Sequence, residues 1–349
     1  MSEKRKLASI QYVHHVTPID DADKIELVHV LGWQVVCQKD QFHIGDLCVY
    51  FEVDSFLPIE EKFEFLRKSS YKKTDLMGEG FRLRTVKLRG QVSQGLCMPL
   101  TILPDREEGY KIGDDVTDIL GVKKWEVEEY TSAVGTVIGS FPTHIGIPKT
   151  DELRVQSYPR LIDEFKDCEG YYITTKMDGS SVTMYNYEDH NGICSRNNEL
   201  ADDDKCDMWK YAHEHHIFES LERYGYSNIA VQGEWCGPGI QGNRLGLKKP
   251  EWYVFTVLDF INDRRYSLYE IQKLCNDCNL NMVPVEEEGL FFSYDTVDEL
   301  IERAKGKYSS GQQKEGIVIR PLSNHVYSTE ISDWLSMKVL NNDYLIKEK

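Results

Sequence analysis

The chain has 349 residues, of which 41% are hydrophobic and 28% charged, and its net charge is −17. The length allows two ordinary domains, and the composition is that of a soluble globular protein. The acidic balance excludes a general nucleic-acid binder, whose footprint is basic, but leaves room for a local basic groove. No apolar run approaches the roughly 18–20 residues needed to span a membrane. MSEKRKL at the N-terminus is charged and is followed by no apolar signal region. Nine cysteines, an odd number, then read as free thiols in a reducing compartment. The expectation is an intracellular, cytoplasmic protein with no membrane partner.

In chain order, the first part reads as short strands. LASIQYVHHV (7–16), KIELVHVLGWQVVCQ (24–38), LCVYFEV (47–53), RLRTVKL (82–88) and GLCMPL (95–100) are rich in β-branched and aromatic residues, several bounded by Gly, Pro or Asp. About five such strands fit a small barrel of the OB type, with a Greek-key sandwich almost as good. Arg82, Arg84, Lys87 and Arg89 make a short basic cluster. Such clusters are usually solvated faces, but against an acidic background this one is a candidate for phosphate contacts.

From Gly121 to Thr150 the periodicity loosens. The domain boundary is expected between 130 and 145, giving domains 1–140 and 141–349. The second part mixes strands (171–176, 181–188, 193–196, 229–235, 252–261, 316–320, 334–340) with helices (203–224, 267–280, 296–305). DHNG (189–192) carries the Asn-Gly mark of a tight hairpin.

Three motifs are decoys. GPGIQG (237–242) matches GxGxxG, but NRLGLKKP follows where a helix is needed to hold a pyrophosphate. A glycine-rich loop lining a pocket is the better reading. HEHH (213–216) is not HExxH, and Cys275 with Cys278 is a lone CxxC.

KMDG (176–179) is short and weak alone, and its setting strengthens it. A lysine can attack the α-phosphate of a nucleotide only when it loses its proton, through desolvation or nearby positive charge. Carboxylates must hold a divalent metal on the phosphate, and further cations must neutralise the leaving pyrophosphate. Asp178 lies two residues beyond Lys176. QGEWCG (232–237) presents Glu234, WYVFTVLDF (252–260) offers aromatic rings and Asp259, KEGIVIRP (314–321) presents Glu315, and SMKVL (336–340) presents Lys338. Each alone reads as a strand-terminal charge facing water; the ordered set is hard to assign to chance.

This order resembles the covalent nucleotidyltransferase superfamily of polynucleotide ligases and mRNA capping enzymes. KMDG resembles motif I, SRN (195–197) the Ser-Arg of motif Ia, GEW motif III, WYVFTVLDF motif IIIa, EGIVIR motif IV and SMK motif V. The barrel-like part precedes the lysine domain, whereas DNA ligases and capping enzymes carry theirs after it. With PKTDELRVQ (148–156) just ahead of the lysine domain, the chain resembles ATP-dependent RNA ligases of the Deinococcus/Naegleria type. The resemblance implies an α+β fold, with an N-terminal OB-like barrel followed by a nucleotidyltransferase domain of ATP-grasp-like antiparallel sheets and helices. It implies ATP with Mg2+ or Mn2+, and RNA ends, at a nick in a duplex, joined by a monomer. Lys176 would carry AMP, and Asp178, Glu315 and Asp259 would hold the metal. Glu234 and Arg196 would contact ribose or phosphates, and Phe255 would stack on adenine. Lys338 would stabilise the α-phosphate, and Arg154 would touch the β and γ phosphates. The alternatives are a DNA ligase or GTP-using capping enzyme, and an RNA-binding protein with an inactive nucleotide fold. One position departs: RNA ligases often show Lys-x-Lys in motif V, and Ser336 stands at the first place. Either Lys338 suffices, or a second cation such as Lys347 comes from elsewhere.

Overall fold

The computed structural model describes residues 5–126, 135–323 and 326–347. The chain divides into two compact units, one of Met1–Glu128 with Gln156–Pro159 and Leu345–Lys349, the other of Glu129–Val155 with Arg160–Tyr344. Part of the loosened stretch, 127–134, lies outside the described residues. No helix among the described residues is long and apolar enough to cross a membrane, and the nine cysteines are free.

The first unit is built of short antiparallel strands. Ala8–Tyr12, Leu47–Phe51 and Leu96–Met98 form one sheet, and Lys123–Lys124, Ser55–Leu57, Gly78–Arg82 and Tyr71–Thr74 a second. His15–Pro18, Ile25–Val30 and Trp33–Gln38 form a third. Three expected strands are each divided. The run 24–38 folds back at Leu31–Gly32, where Leu31 takes φ +53°, the left-handed backbone of tight hairpin turns. Trp33, Val35 and Cys37 then point inward at a period of two. Likewise, 7–16 breaks into two strands, and 82–88 ends one strand at Arg82 and begins another at Val86.

The second unit holds two main sheets, antiparallel except where Asn281–Met282 pairs in parallel, and a short ribbon of Tyr327–Ser328 with Asp333–Trp334. The larger, eight-stranded, runs in the order Val137–Ser140, Asn198–Leu200, His190–Cys194, Ser180–Tyr187, Ile229–Cys236, Glu251–Asp259, Arg264–Arg265, with Asn281–Met282 also on Glu251–Asp259. The smaller runs Val285–Gly289, Tyr171–Lys176, Gly316–Pro321, Met337–Leu340. Three helices, Asp207–Glu214, Ile217–Arg223 and Leu268–Asp277, bury Met208, Trp209, Leu221, Ile271 and Leu274 against Val182, Val231, Trp235, Trp252 and Val254. Because side chains alternate along a strand, the opposite sheet face receives Ser181, Gln232 and Glu234. On the strand Ile229–Cys236, Glu234 is the one residue that is not buried.

Two local expectations are corrected. The helix 203–224 is two helices, interrupted at His216, whose φ of +50° is left-handed. The hairpin turn falls on Glu188–Asp189, since Tyr187 pairs with His190, and Glu188 takes φ +52°. Asn191-Gly192 lies inside the second strand, where Gly192 faces the ring of Tyr185 and a Cβ would come within 2.3 Å of it. The glycine serves close packing, not the turn.

Candidate active site

Lys176 ends its strand, opposite Gly316. Its Nζ donates to Glu315 Oε2 at 3.0 Å. Glu315 is held just before the neighbouring strand by Tyr308, whose hydroxyl donates to the Lys176 carbonyl at 2.7 Å and accepts from the Glu315 amide at 3.0 Å. Gly316 permits this registry: at φ +155° a Cβ would come 2.1 Å from the Val339 carbonyl oxygen. Past the strand end, buried Asp178 accepts from Tyr344 Oη at 3.0 Å. Its other oxygen, Oδ2, makes no hydrogen bond, the Arg244 Nε lying 3.4 Å away.

The electrostatics are those of a crowded anionic pocket. Burial alone would push the Lys176 amine down, but the carboxylates of Glu315, Glu234 and Asp178 together hold it well above its ordinary value. The lysine is therefore a charged ammonium in this state, contrary to the expectation that its surroundings would strip the proton. Burial pushes Glu234 up to about 7; Lys176 opposes that shift, and Glu315 and Asp178 reinforce it. Asp178 is raised for the same reasons, burial first and then Glu315. Among the described residues no group of three or more His, Cys, Asp or Glu side chains is arranged to chelate a metal. A hydrated Mg2+ or Mn2+ needs only one or two protein carboxylates, with water and phosphate oxygens completing the shell. Asp178 Oδ2, which accepts no hydrogen bond, and the ion-paired Glu315 fit such an ion.

The structure brings most of the remaining candidates to this pocket. On the smaller sheet, Lys338 pairs with Val318 and Val318 with Thr174, so by alternation Lys338 shares a face with Lys176. Arg154 forms an isolated bridge with Lys338. Arg196 follows a strand end: Cys194 pairs with Thr183, so the arginine falls near the level of Ser181 and its partner Glu234, and its Nη2 donates to Asp151 at 2.9 Å. Phe255 packs with Met177, Leu245, Leu247 and Tyr253, and is thus beside the residue between Lys176 and Asp178.

Asp259 is not brought there. It pairs with Ile229, five residues from Glu234, or about 16 Å along the strand, and it accepts hydrogen bonds from Asn262. A register shift opposite Gln232–Gly233 inserts an extra residue in the Asp259 strand. This bulge reverses the alternation, so that Asp259 shares the helix-packed face with Val257, away from Phe255. The assignment of Asp259 to the metal is withdrawn.

The position of Ser336 has a physical account. Its hydroxyl accepts from Arg320 Nε at 3.3 Å, and Arg320 also donates to the Phe255 carbonyl at 2.5 Å and to Glu152 Oε1 at 2.6 Å. Burial opposes the charge of Glu152, but Arg320 and Arg265 hold it down at about 2. A lysine at 336 would add a cation beside buried Arg320 and half-buried Arg265. The Lys347 side chain falls outside the described residues.

In the basic cluster, Arg82 turns into its own unit, 3.8 Å from Asp54 and over the Trp125 ring at 4.9 Å. Lys87 and Arg89 stand exposed on the hairpin Val86–Leu88/Gln91–Ser93, while Arg84 is half-buried. Three site residues had no signal in the motifs, Arg244, Tyr308 and Tyr344. Arg244 does lie in the glycine-rich loop read as a pocket lining. Of the decoys, Cys275 and Cys278 are buried on a helix packed against the sheet, and His213 pairs with Asp202 at 2.8 Å.

Comparison with known proteins points to one family. A family model described as RNA ligase matches residues 169–339, and one described as an OB-fold domain matches residues 7–100. No curated protein matches the chain. Among solved structures, a variant of the Naegleria gruberi RNA ligase with AMP and Mn is 35% identical, with a TM-score of 0.88 and 99% of each chain covered. Another variant of that ligase, with ATP and Mn, is 35% identical at TM-score 0.88, covering 98% of this chain and 99% of its own. The same ligase with PPi is 35% identical at TM-score 0.87, with 99% of each chain covered.

Proposed function

The chain belongs to the RNA ligase family, and from that premise we propose that it seals RNA 3′-OH and 5′-phosphate ends at the expense of ATP. The observation that carries the proposal is the Lys176–Glu315 pair at 3.0 Å, ringed by Asp178 and Glu234. Lys176 Nζ, once its ammonium has given up a proton to water, attacks the α-phosphorus of ATP; a P–N bond forms, the bond to pyrophosphate breaks, and a second amine proton is lost to water. AMP then passes from the lysine to the 5′-phosphate of an RNA end. A 3′-OH attacks that activated phosphate and expels AMP, leaving a phosphodiester.

Each neighbour has a part. Asp178 and Glu315 hold a divalent Mg2+ or Mn2+. When bound, that ion supplies positive charge that weakens the hold of the carboxylates on the lysine proton and polarises the α-phosphate. Phe255 stacks on adenine, Glu234 and Arg196 bind ribose or phosphate, Lys338 neutralises the α-phosphate, and Arg154 the leaving pyrophosphate. Lys87 and Arg89 of the OB-fold unit contact the phosphates of a nicked duplex. We propose that the OB-fold unit is the accessory domain and that the second unit, which includes the strand Val137–Ser140, is the domain of the chemistry. The free thiols support an intracellular setting.

The proposal is tested by incubating the protein with α-labelled ATP or GTP and a divalent cation, followed by a denaturing gel. Label is expected on the protein with ATP alone, and none on Lys176→Ala. Label from GTP would favour a capping-type enzyme, and no label from either nucleotide would favour an inactive RNA binder.

A further inference from the structure

The loop from Gly237 to Pro250 contains no helix or strand, yet it is closely held. The Asn243 side chain closes it by donating to the Leu247 carbonyl at 3.0 Å and accepting from the Leu247 amide at 3.1 Å. Gly237, at φ +145°, lies so near Pro250 that a Cβ would come within 2.7 Å of it. Leu245 and Leu247 pack into the cluster of Met177 and Phe255, and Ser310 Oγ donates to the Arg244 carbonyl. This frame carries one cation into the pocket. The Arg244 guanidinium lies over the Tyr344 ring, 4.0 Å from its centroid, with Nε 3.4 Å from Asp178 Oδ2. Tyr344 in turn donates its hydroxyl to the other oxygen of Asp178. Arg244 thus occupies the one Asp178 oxygen that has no hydrogen bond, the same oxygen that fits a metal.

We propose that Arg244 is an exchangeable cation of this site. With no nucleotide bound it neutralises Asp178; when a divalent cation takes Asp178, the guanidinium passes to a phosphate oxygen of the substrate. Two cations cannot share Oδ2 without strong repulsion in a partly desolvated pocket. A guanidinium released beside a polyanion finds in its phosphate oxygens the bidentate partner that its own planar fork fits best. Stacking on Tyr344 limits the movement to a short swing and keeps the donors oriented. The phosphate could belong to ATP or to the 5′ end of the RNA. The proposal rests on the RNA ligase reading for its phosphate half only.

The test uses the full-length chain and Arg244→Ala and Arg244→Lys, each checked for an unchanged melting temperature. Mn2+ binding to the nucleotide-free protein is measured by electron paramagnetic resonance titration. Removing the competing cation should tighten Mn2+ binding in Arg244→Ala by roughly three- to tenfold. The same variant should lose roughly tenfold in a phosphate-dependent step. If ATP is the source, its KM for self-adenylylation rises and sealing of pre-adenylylated RNA is unaffected; if RNA is the source, the reverse holds. Arg244→Lys should fall between. A merely structural arginine would, when removed, misplace Asp178 and weaken Mn2+ and ATP binding together, and that result overturns the proposal. So does a variant with both substrate steps unchanged. If the unsubstituted protein takes no label from ATP, the ligase reading fails instead, and the Mn2+ titration still decides whether Arg244 and metal compete.

Discussion

The second unit contains two buried charge clusters, and they are built on opposite plans. In the Glu152–Arg320–Arg265 cluster one carboxylate lies between two guanidinium groups, and Arg320 is bonded through three of its nitrogens. Glu152 is driven down to about 2. Around Lys176 the balance is reversed: three carboxylates crowd one lysine, Glu234 is driven up to about 7, and an Asp178 oxygen has no hydrogen bond. In the first cluster the one atom without a hydrogen bond, Arg265 Nε, is a donor, and with two arginines to one carboxylate the cluster would gain nothing from a further cation. The second is an incomplete assembly whose missing charge is positive. Satisfied networks specify a structure, whereas unsatisfied ones mark where a ligand completes it.

Four experiments bear on that contrast. Glu315→Ala removes both the lysine's partner and a metal carboxylate, so adenylylation should fall by roughly 10³-fold or more, as severely as with Lys176→Ala. Near-normal label incorporation would remove Glu315 from the metal. Arg320→Met should act on stability instead, costing about 3–5 kcal/mol in denaturant unfolding because it strands the buried Glu152 charge. Lys176→Ala should cost far less by the same measurement.

The third uses pH. Glu234, at about 7 in the folded chain against an ordinary 4.5, binds a proton that the unfolded chain has released. Stability should therefore fall as pH rises from about 4.5 to 7. Lys176, raised by its carboxylates, stays charged throughout that window and adds no slope. Glu152 acts oppositely: its stabilisation is present above 4.5 and lost as pH falls toward about 2. In Glu234→Gln the decline of the melting temperature between pH 4.5 and 7 should flatten while the acid limb stays. An unchanged decline would mean that Glu234 ionises normally. The smallest effect is expected for Lys87→Glu with Arg89→Glu. Sealing should weaken several-fold and more so at high salt, with adenylylation intact. A parallel loss of both activities would assign the hairpin a structural role.

Much of this was legible in the sequence where periodicity operates. The strands carrying Lys176, Glu234, Phe255 and Lys338 sit within one to three residues of where their β-branched and aromatic runs placed them. Asp259 failed because strict alternation puts it on the face of Phe255, and a single bulge, invisible in composition, transfers it to the other. The long helix failed at His216, where one left-handed residue breaks a continuous apolar stripe. Arg244, Tyr308 and Tyr344 were missed for a different reason. They act from loops or a chain end, and their contacts to Lys176 and Asp178 span more than sixty residues of sequence, so no local pattern encodes them. Ser336 looked like a deficit only because Arg320, across the sheet, could not be seen as its partner.

The Tyr308 hydroxyl bonds to both the Lys176 carbonyl and the Glu315 amide, and so ties the two peptide units through a single oxygen atom. A thermal displacement of one is passed to the other, and the gap between nucleophile and carboxylate has a narrower spread than the position of either. Tolerance in the site is thus a matter of differences, not of absolute coordinates: the pair can drift as the surrounding loop breathes and still present the same spacing to an incoming phosphate.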